Sequence, residues 1–280
     1  METFQLSEKL LKKIANLILA KKNTPLKKIV KDIHFADMAE IINELNEDQG
    51  VYLIKLFDSE KTSEILTELD EDVREKILKV LSVKEIADEI EELDSDDAAD
   101  ILGELSEKRK EEVISEISDN DLADDLKELL SYKEDSAGGL MAKELVQANE
   151  NWSVTKCLKE IKKQGENVTR VHSIYVVDDK QKLIGRLSLK DLITSPAKNL
   201  IKDIYIPKVD SVNVFEDGEE VAKIMSKYDL EAIPVVDNKK QLVGRITIDD
   251  IIDFIKEEAE EDYLLAAGVQ GDVEADDSIL

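Results

Sequence analysis

Cysteine is nearly absent from this sequence. The single Cys157 lies inside a helical pattern, so no disulfide can form within the chain, and a buried structural thiol is its default role. Histidine is as scarce: His34 and His172 stand far apart, which leaves a zinc site or a serine-type triad poorly supported. Aromatics make up 4% of the 280 residues, so any core must rest on Leu, Ile, Val and Ala within an apolar fraction of 42%. No run of about 18 apolar residues occurs, so nothing reads as a transmembrane helix. The N-terminal METFQLSEKLLKKIANLILAKK carries charges through its apolar positions and reads as an amphipathic helix, not a secretion signal. There is no glycine-rich phosphate loop and no nucleophile with its base, which argues against an enzyme.

Carboxylates are abundant. Asp and Glu number 65 against 38 Lys and Arg, for a formal charge of −27. Such a charge as a whole opposes nucleic-acid backbones and anionic lipid surfaces and concentrates cations. Much of it serves solubility; where carboxylates converge, they repel and favour protons or a metal. Length alone suggests two or three domains.

The first half repeats. Leu45, Phe57, Leu69, Leu81, Leu93, Leu105, Ile117 and Leu129 recur every 12 residues. Cap-type residues follow most of them: Asn46, Asp58, Asp70, Ser82, Asp94, Ser106 and Ser118. Each can accept from the open N–H groups of a following helix. Helices this short are unstable alone, but side by side they share one apolar ridge. The expectation is a superhelical array over residues 35–130, after a helical extension over 1–34. Asp96 and Asp100 fall four apart on one helical face, and Glu64 lies on a comparable earlier helix. A solvated face and a cation site both fit that pattern.

The second half contains one module twice. HSIYVVDDKQKLIGRLSLKDLI, from His172, matches EAIPVVDNKKQLVGRITIDDII, from Glu231, at an offset of 59. The offset pairs Gly185 with Gly244, Arg186 with Arg245 and Asp191 with Asp250. Each copy reads as a helix, a β-branched strand, an Asp/Lys-rich turn, a second strand and a helix start. The fold class expected is α + α/β: a helical array, a tandem α/β module and a C-terminal connecting helix.

This two-copy pattern resembles a tandem of CBS domains, a Bateman module, with copies over 131–197 and 198–256. In that family a Ser/Thr-x-x-Asp stretch after the second strand meets the ribose of an adenosine ligand. The matching residues are Ser188 with Asp191 and Thr247 with Asp250. The resemblance thus implies ATP or a related adenine nucleotide; capping of the following helix is the competing role for both pairs.

The order of parts is more specific. A helical array runs through SYKEDSAGGLMAKELV into the pair and on to EEAEEDYLLAAGV. This is similar to the cytosolic part of the MgtE magnesium transporter family. The resemblance implies a Mg2+-sensing gate, a homodimer through the CBS pair, and a linked transmembrane pore domain. It implies location on the cytoplasmic side of a cell membrane, with this fragment alone soluble, no nucleic-acid partner, and residues 257–280 as a plug-like connecting helix and tail. Carried over motif by motif, the metal candidates are Glu64, Asp96, Asp100, Gly139, Asp217, Glu219, Asp229, Asp250, Asp253, Glu258 and Glu261. The alternative is a nucleotide-responsive CBS module that regulates another partner.

Overall fold

A computed structural model describes residues 4–168 and 170–266, without the side chains of Asn167, 260–262 and 264–266. The chain divides into two compact units, Met1–Glu128 and Leu129–Leu280.

In the first unit, α1 (Glu8–Leu19) and α2 (Asn23–Val30) precede α3 (Phe35–Asn43), α4 (Glu47–Ile54), α5 (Ser59–Thr67) and α6 (Glu71–Val80). Then come α7 (Val83–Ile90), α8 (Ser95–Gly103), α9 (Glu107–Glu116) and α10 (Asn120–Leu129). The 12-residue period is a burial period. Ile41-Ile42, Leu53-Ile54, Ile65-Leu66, Ile77-Leu78 and Ile101-Leu102 are fully or almost fully buried at successive register positions. Alternate helices stack: α3 on α5, α5 on α7, α7 on α9, and α4 on α6. Two helices thus make one structural repeat, as in other solenoids.

Short helices expose many backbone ends, and the array satisfies them with side chains. Asn46, Asp58 and Ser82 accept from Gln49 N (3.0 Å), Lys61 N (3.2 Å) and Glu85 N (3.2 Å). Asp70, Asp94 and Ser106 hold the N-cap position without a side-chain cap bond. At the last junction the cap moves from Ser118 to Asp119, which accepts from Asp121 N at 2.9 Å and Leu122 N at 3.3 Å. The cause is Glu91, whose carboxylate takes the Ser118 amide and hydroxyl.

Cations close the other ends. Lys61 Nζ donates to the carbonyls of Val30 (3.1 Å), Lys31 (3.3 Å) and Ile33 (3.0 Å) after α2. Arg74 Nη1 donates to Leu66, Thr67 and Leu69 at 3.2–3.3 Å while its Nε binds Glu104 Oε1 at 2.6 Å. Arg109 donates to the carbonyls of Lys79 and Leu81. These carbonyls are the orphan acceptors that every helix C-terminus leaves.

One position breaks the register. Glu89 stands where Ile41, Leu53, Ile65, Ile77 and Ile101 stand in their repeats, and its Oε2 is buried without a hydrogen-bond partner. Burial, reinforced by the nearby charges of Asp88, Glu92, Glu85 and Asp58, pushes its carboxyl up to about 8.

The second unit is a pseudo-symmetric pair. β1 (Val146–Asn149) runs parallel to β2 (Ile174–Val177), which is antiparallel to β3 (Leu183–Leu187). α11 (Val154–Gln164) lies between β1 and β2, and α12 (Leu189–Thr194) follows β3. The second copy repeats this with β4 (Val212–Asn213), α13 (Gly218–Tyr228), β5 (Ala232–Val236), β6 (Leu242–Thr247) and α14 (Ile248–Ala266). Even the irregularity recurs, between Val176 and Val177 and between Val235 and Val236.

Equivalent residues meet across the pseudo-dyad. Leu183 N donates to Lys240 O and Leu242 N to Gln181 O, both at 3.0 Å. The segment before each copy packs on the other copy or its predecessor in the same way. Ile206 bridges Arg186 of β3, and Ala142 bridges Arg245 of β6. The paired glycines make this approach feasible: a Cβ on Gly185 would strike the Ile206 carbonyl, and one on Gly244 would stand 2.6 Å from Met141 Sδ. Close packing also fixes α13 on α14, where a Cβ on Gly218 would stand 2.7 Å from the Phe254 ring and 2.9 Å from Leu140 Cδ1.

Two outcomes follow from this packing. A raised carboxyl makes the folded state hold a proton that the unfolded state releases, so the stability of the array falls as pH rises from about 4.5 to about 8. Glu89→Leu restores the register; it is expected to remove that pH dependence and to add about 1–2 kcal/mol at pH 8, after discounting for solvent screening, as read by denaturant unfolding of the chain at both pH values. Gly218→Ala is expected to cost about 1–3 kcal/mol by overpacking and to expose the α13–α14 contact to protease cleavage.

Candidate functional site

In the first unit the candidates sit on two helices. Glu64 is exposed on α5. Asp96 and Asp100 lie one turn apart on α8, which also begins with Asp94 as its N-cap residue. Asp96 Oδ1 accepts from Asp97 N at 3.0 Å, and Asp100 is exposed. Asp96 and Asp100 thus share one helical face, while Glu64 occupies another helix.

The second unit gathers more of them. Asp217 is the N-cap of α13 and accepts from Glu219 N at 3.0 Å through Oδ1. Glu219 follows in the first turn, where Lys223 pairs with it at 3.2 Å and with Glu220 at 2.8 Å. Asp229 caps the other end of α13 in the left-handed region, at φ 50°. On α14, Asp250 and Asp253 lie in the first two turns and Glu258 lies further along. Asp253 pairs with Lys256 at 2.6 Å. The Gly218–Phe254 contact brings the N-terminal turn of α13 onto α14 beside Asp253. The acidic first turn of α13 and the helix that carries Asp253 are thus joined by the packing of Gly218 on Phe254. Asp229, at the far end of α13, is placed away from that turn. The side chain of Glu261 lies outside the described residues.

Gly139 belongs to a tight turn. Its N–H donates to Ser136 O at 2.9 Å, and a Cβ there would overlap the carbonyls of Lys133 and Glu134. The sequence SAGGLM is thus a backbone-dense junction, in which Ala137 N and Gly138 N donate to Glu216 O (2.7 Å) and Val214 O (2.8 Å) of the second copy.

Both Ser/Thr-x-x-Asp pairs are engaged as caps. Ser188 Oγ accepts from Asp191 N at 3.0 Å and donates to Asp191 Oδ2 at 2.7 Å. Asp250 Oδ2 accepts from Thr247 N at 3.0 Å and Thr247 Oγ1 at 2.6 Å. The capping half of the two alternatives is therefore present at both positions.

Sequence reasoning missed a small polar cavity of about 10 Å3 in the tandem module, room for one water molecule at most, lined by Val146, Val171, His172, Ser173, Tyr175 and Arg245 among others. Tyr175 is 2% exposed and its hydroxyl has no hydrogen-bond partner. Burial pushes that hydroxyl up to about 12, although the Arg245 and Arg186 charges act the other way. His172 Nδ1 is likewise buried without a hydrogen bond, 3.7 Å from Glu231 Oε2. His172 and Glu231 are the equivalent residues of the two copies. The available signal was a lone histidine, and an arginine held in a strand of otherwise apolar character.

The comparisons with known proteins agree with this architecture. Residues 33–135 match the model of the MgtE intracellular N domain, and residues 137–198 and 201–257 each match the CBS domain. Both are regulatory, non-catalytic modules. The chain is 42% identical over 131 residues to a magnesium transporter MgtE of Thermus thermophilus, a match covering 47% of this chain and 29% of the relative. It is 40% identical over 140 residues to that of Enterococcus faecalis, covering 50% of this chain and 31% of the relative. The matches thus span under a third of these relatives' length. Among solved structures, the soluble part of a magnesium transporter aligns at TM-score 0.76 and 29% identity, over 90% of this chain and 99% of that one. The cytosolic domain of the Mg2+ channel MgtE in complex with ATP aligns at TM-score 0.80 and 30% identity, over 87% and 99%. Among the described residues no helix is long and apolar enough to cross a membrane. With an N-terminal helical array, a tandem CBS module and a match along almost the whole of a solved relative, the chain belongs to the MgtE family.

Proposed function

We propose that this chain is the magnesium-sensing regulatory part of a magnesium transporter, in which Mg2+ held between acidic surfaces favours a compact, closed state. The observation that carries this reading is the α13–α14 contact, where the turn of Asp217 and Glu219 meets the helix of Asp250, Asp253 and Glu258. Mg2+ is a hard cation that takes carboxylate oxygens and keeps several waters, and this donor set is made of carboxylates. Asp217 and Asp253 each use Oδ1 in the bonds described, so their second oxygens are not committed by those bonds. Without a cation the carboxylates repel across the contact; with one, that repulsion becomes attraction. Glu64, Asp96, Asp100, Asp229 and Glu261 belong to the same proposal, as does the Gly139 backbone.

The switch requires the ion to bind the compact state better than the open one. A pore domain attached to this chain, as in the transporters it resembles, would receive that change at the cytoplasmic face of a membrane. A homodimer fits the exposed apolar residues Leu189 and Ile193 of α12 and their counterparts Ile248 and Ile252 of α14, of which Leu189, Ile193 and Ile252 are 42%, 63% and 47% exposed.

A second reading is favoured by the similarity to the cytosolic domain of the Mg2+ channel MgtE in complex with ATP. The groups that would meet the ribose are the Ser188–Asp191 and Thr247–Asp250 pairs, each hydrogen-bonded within itself. An adenine nucleotide bound at either pair would act beside the ion sensor rather than replace it.

Small-angle scattering during Mg2+ titration at constant ionic strength is expected to show a saturable contraction that K+ does not produce. Asp253→Asn with Glu258→Gln should weaken the Mg2+ dependence at least several-fold; contraction equal in K+ would reduce the effect to charge screening. For the nucleotide, calorimetric titration of the chain with ATP should show saturable binding that Asp191→Ala with Asp250→Ala weakens about tenfold or more, the loss of charge-assisted hydrogen bonds; unchanged binding would remove the two pairs from the reading.

A further inference from the structure

The net charge of the chain opposes anionic surfaces, but one face departs from it. Residues 1–34 hold eight lysines, Lys9, Lys12, Lys13, Lys21, Lys22, Lys27, Lys28 and Lys31, against only Glu2, Glu8 and Asp32. All eight lysines are exposed on or beside α1 and α2. Ile14, Ile18, Leu26 and Val30 bury the opposite faces of the two helices. A shallow groove along α1 sets Leu17 and Ala20 among Lys9, Lys13 and Lys22, and Leu19 is 73% exposed.

Lys12 pairs with Glu8 at 2.7 Å on the exposed face of α1, but local structure does not account for the cluster as a whole. The carbonyls that end α2 already accept from Lys61, so Lys27, Lys28 and Lys31 are not needed as caps. The turn after α1 is closed by the backbone, with Lys21 N on Ile18 O at 2.9 Å and Lys22 N on Leu17 O at 2.9 Å. Lys21 itself sits at φ 49°, where glycine is favoured and a lysine side chain is strained.

We propose that the α1–α2 lysine face is a docking surface for an anionic lipid bilayer, reversible and independent of the magnesium reading. Charge complementarity alone would admit an acidic protein surface. The exposed Leu19, with Leu17 and Ala20 in the groove, favours a bilayer, which takes apolar side chains and ammonium groups side by side. Clustered lysines near an anionic leaflet add attraction that salt screens.

The test is co-sedimentation of the full chain with vesicles, either pure phosphatidylcholine or a mixture with phosphatidylglycerol. Binding is expected only to the anionic vesicles, falling at least tenfold when salt is raised from 50 to about 300 mM and when Lys12, Lys13, Lys21 and Lys22 are changed to Gln. Lys21→Gly separates this role from folding: it should raise the unfolding temperature yet weaken vesicle binding. Leu19→Ser should weaken it as well. No binding to anionic vesicles, equal binding to neutral ones, or full binding by the four-Gln variant would overturn the proposal. So would salt-sensitive self-association without vesicles that consumes the same lysines, since it would make a second copy the occupant.

Discussion

The short helices of the first unit leave many unpaired backbone groups, and satisfying them constrains everything built on the array. N–H groups at the starts are met by Asn46, Asp58, Ser82 and Asp119. Carbonyls at the ends are met by Lys61, Arg74 and Arg109, each reaching several acceptors at once. An amide left without a partner would cost on the order of 1–3 kcal/mol, more than any exposed ion pair returns. Cations are therefore placed where the backbone needs them. A chain with 38 basic and 65 acidic residues then keeps a surface rich in carboxylates. The carboxylate excess of the surface is thus linked to how the short helices are terminated.

The tandem module solves a different problem. Each copy has a sheet of three strands, too small to cover itself. Pseudo-symmetry supplies the cover: hairpin tips pair through Gln181, Leu183, Lys240 and Leu242, and preceding segments are laid against β3 and β6. The cost is steric intolerance at Gly185 and Gly244. The gain is a junction where His172 meets Glu231 and where Tyr175 and Arg245 are held in a cavity that neither copy would form alone. The same unit positions α13 against α14, so the acidic turn and the acidic helix move only as the packing at Phe254 allows.

Charge is also distributed unevenly along the chain. Lysines gather on α1 and α2, and carboxylates gather at α8, α13 and α14. Glu89 shows a further consequence of the repeat. A carboxyl placed in an Ile/Leu register keeps its proton to about pH 8, and part of the array's stability is exchanged for pH dependence.

The sequence by itself determined the helical repeat, the duplicated module and the junction that marks the family. All three rest on periodicity: a 12-residue burial period and a 59-residue offset are visible wherever side chains alternate between core and water. Candidate acids were legible as residue types on helical faces, since Asp96 and Asp100 must share a face if their segment is helical. Cap-type residues were legible too, but not which of them caps: Ser118 gave way to Asp119 because Glu91, 27 positions earlier, claimed the serine. Only tertiary structure decided that pairing, the Tyr175–His172–Arg245 cavity, and the approach of α13 to Phe254. Each joins residues far apart in sequence by packing geometry, and spacing along the chain carries no record of a contact made across it.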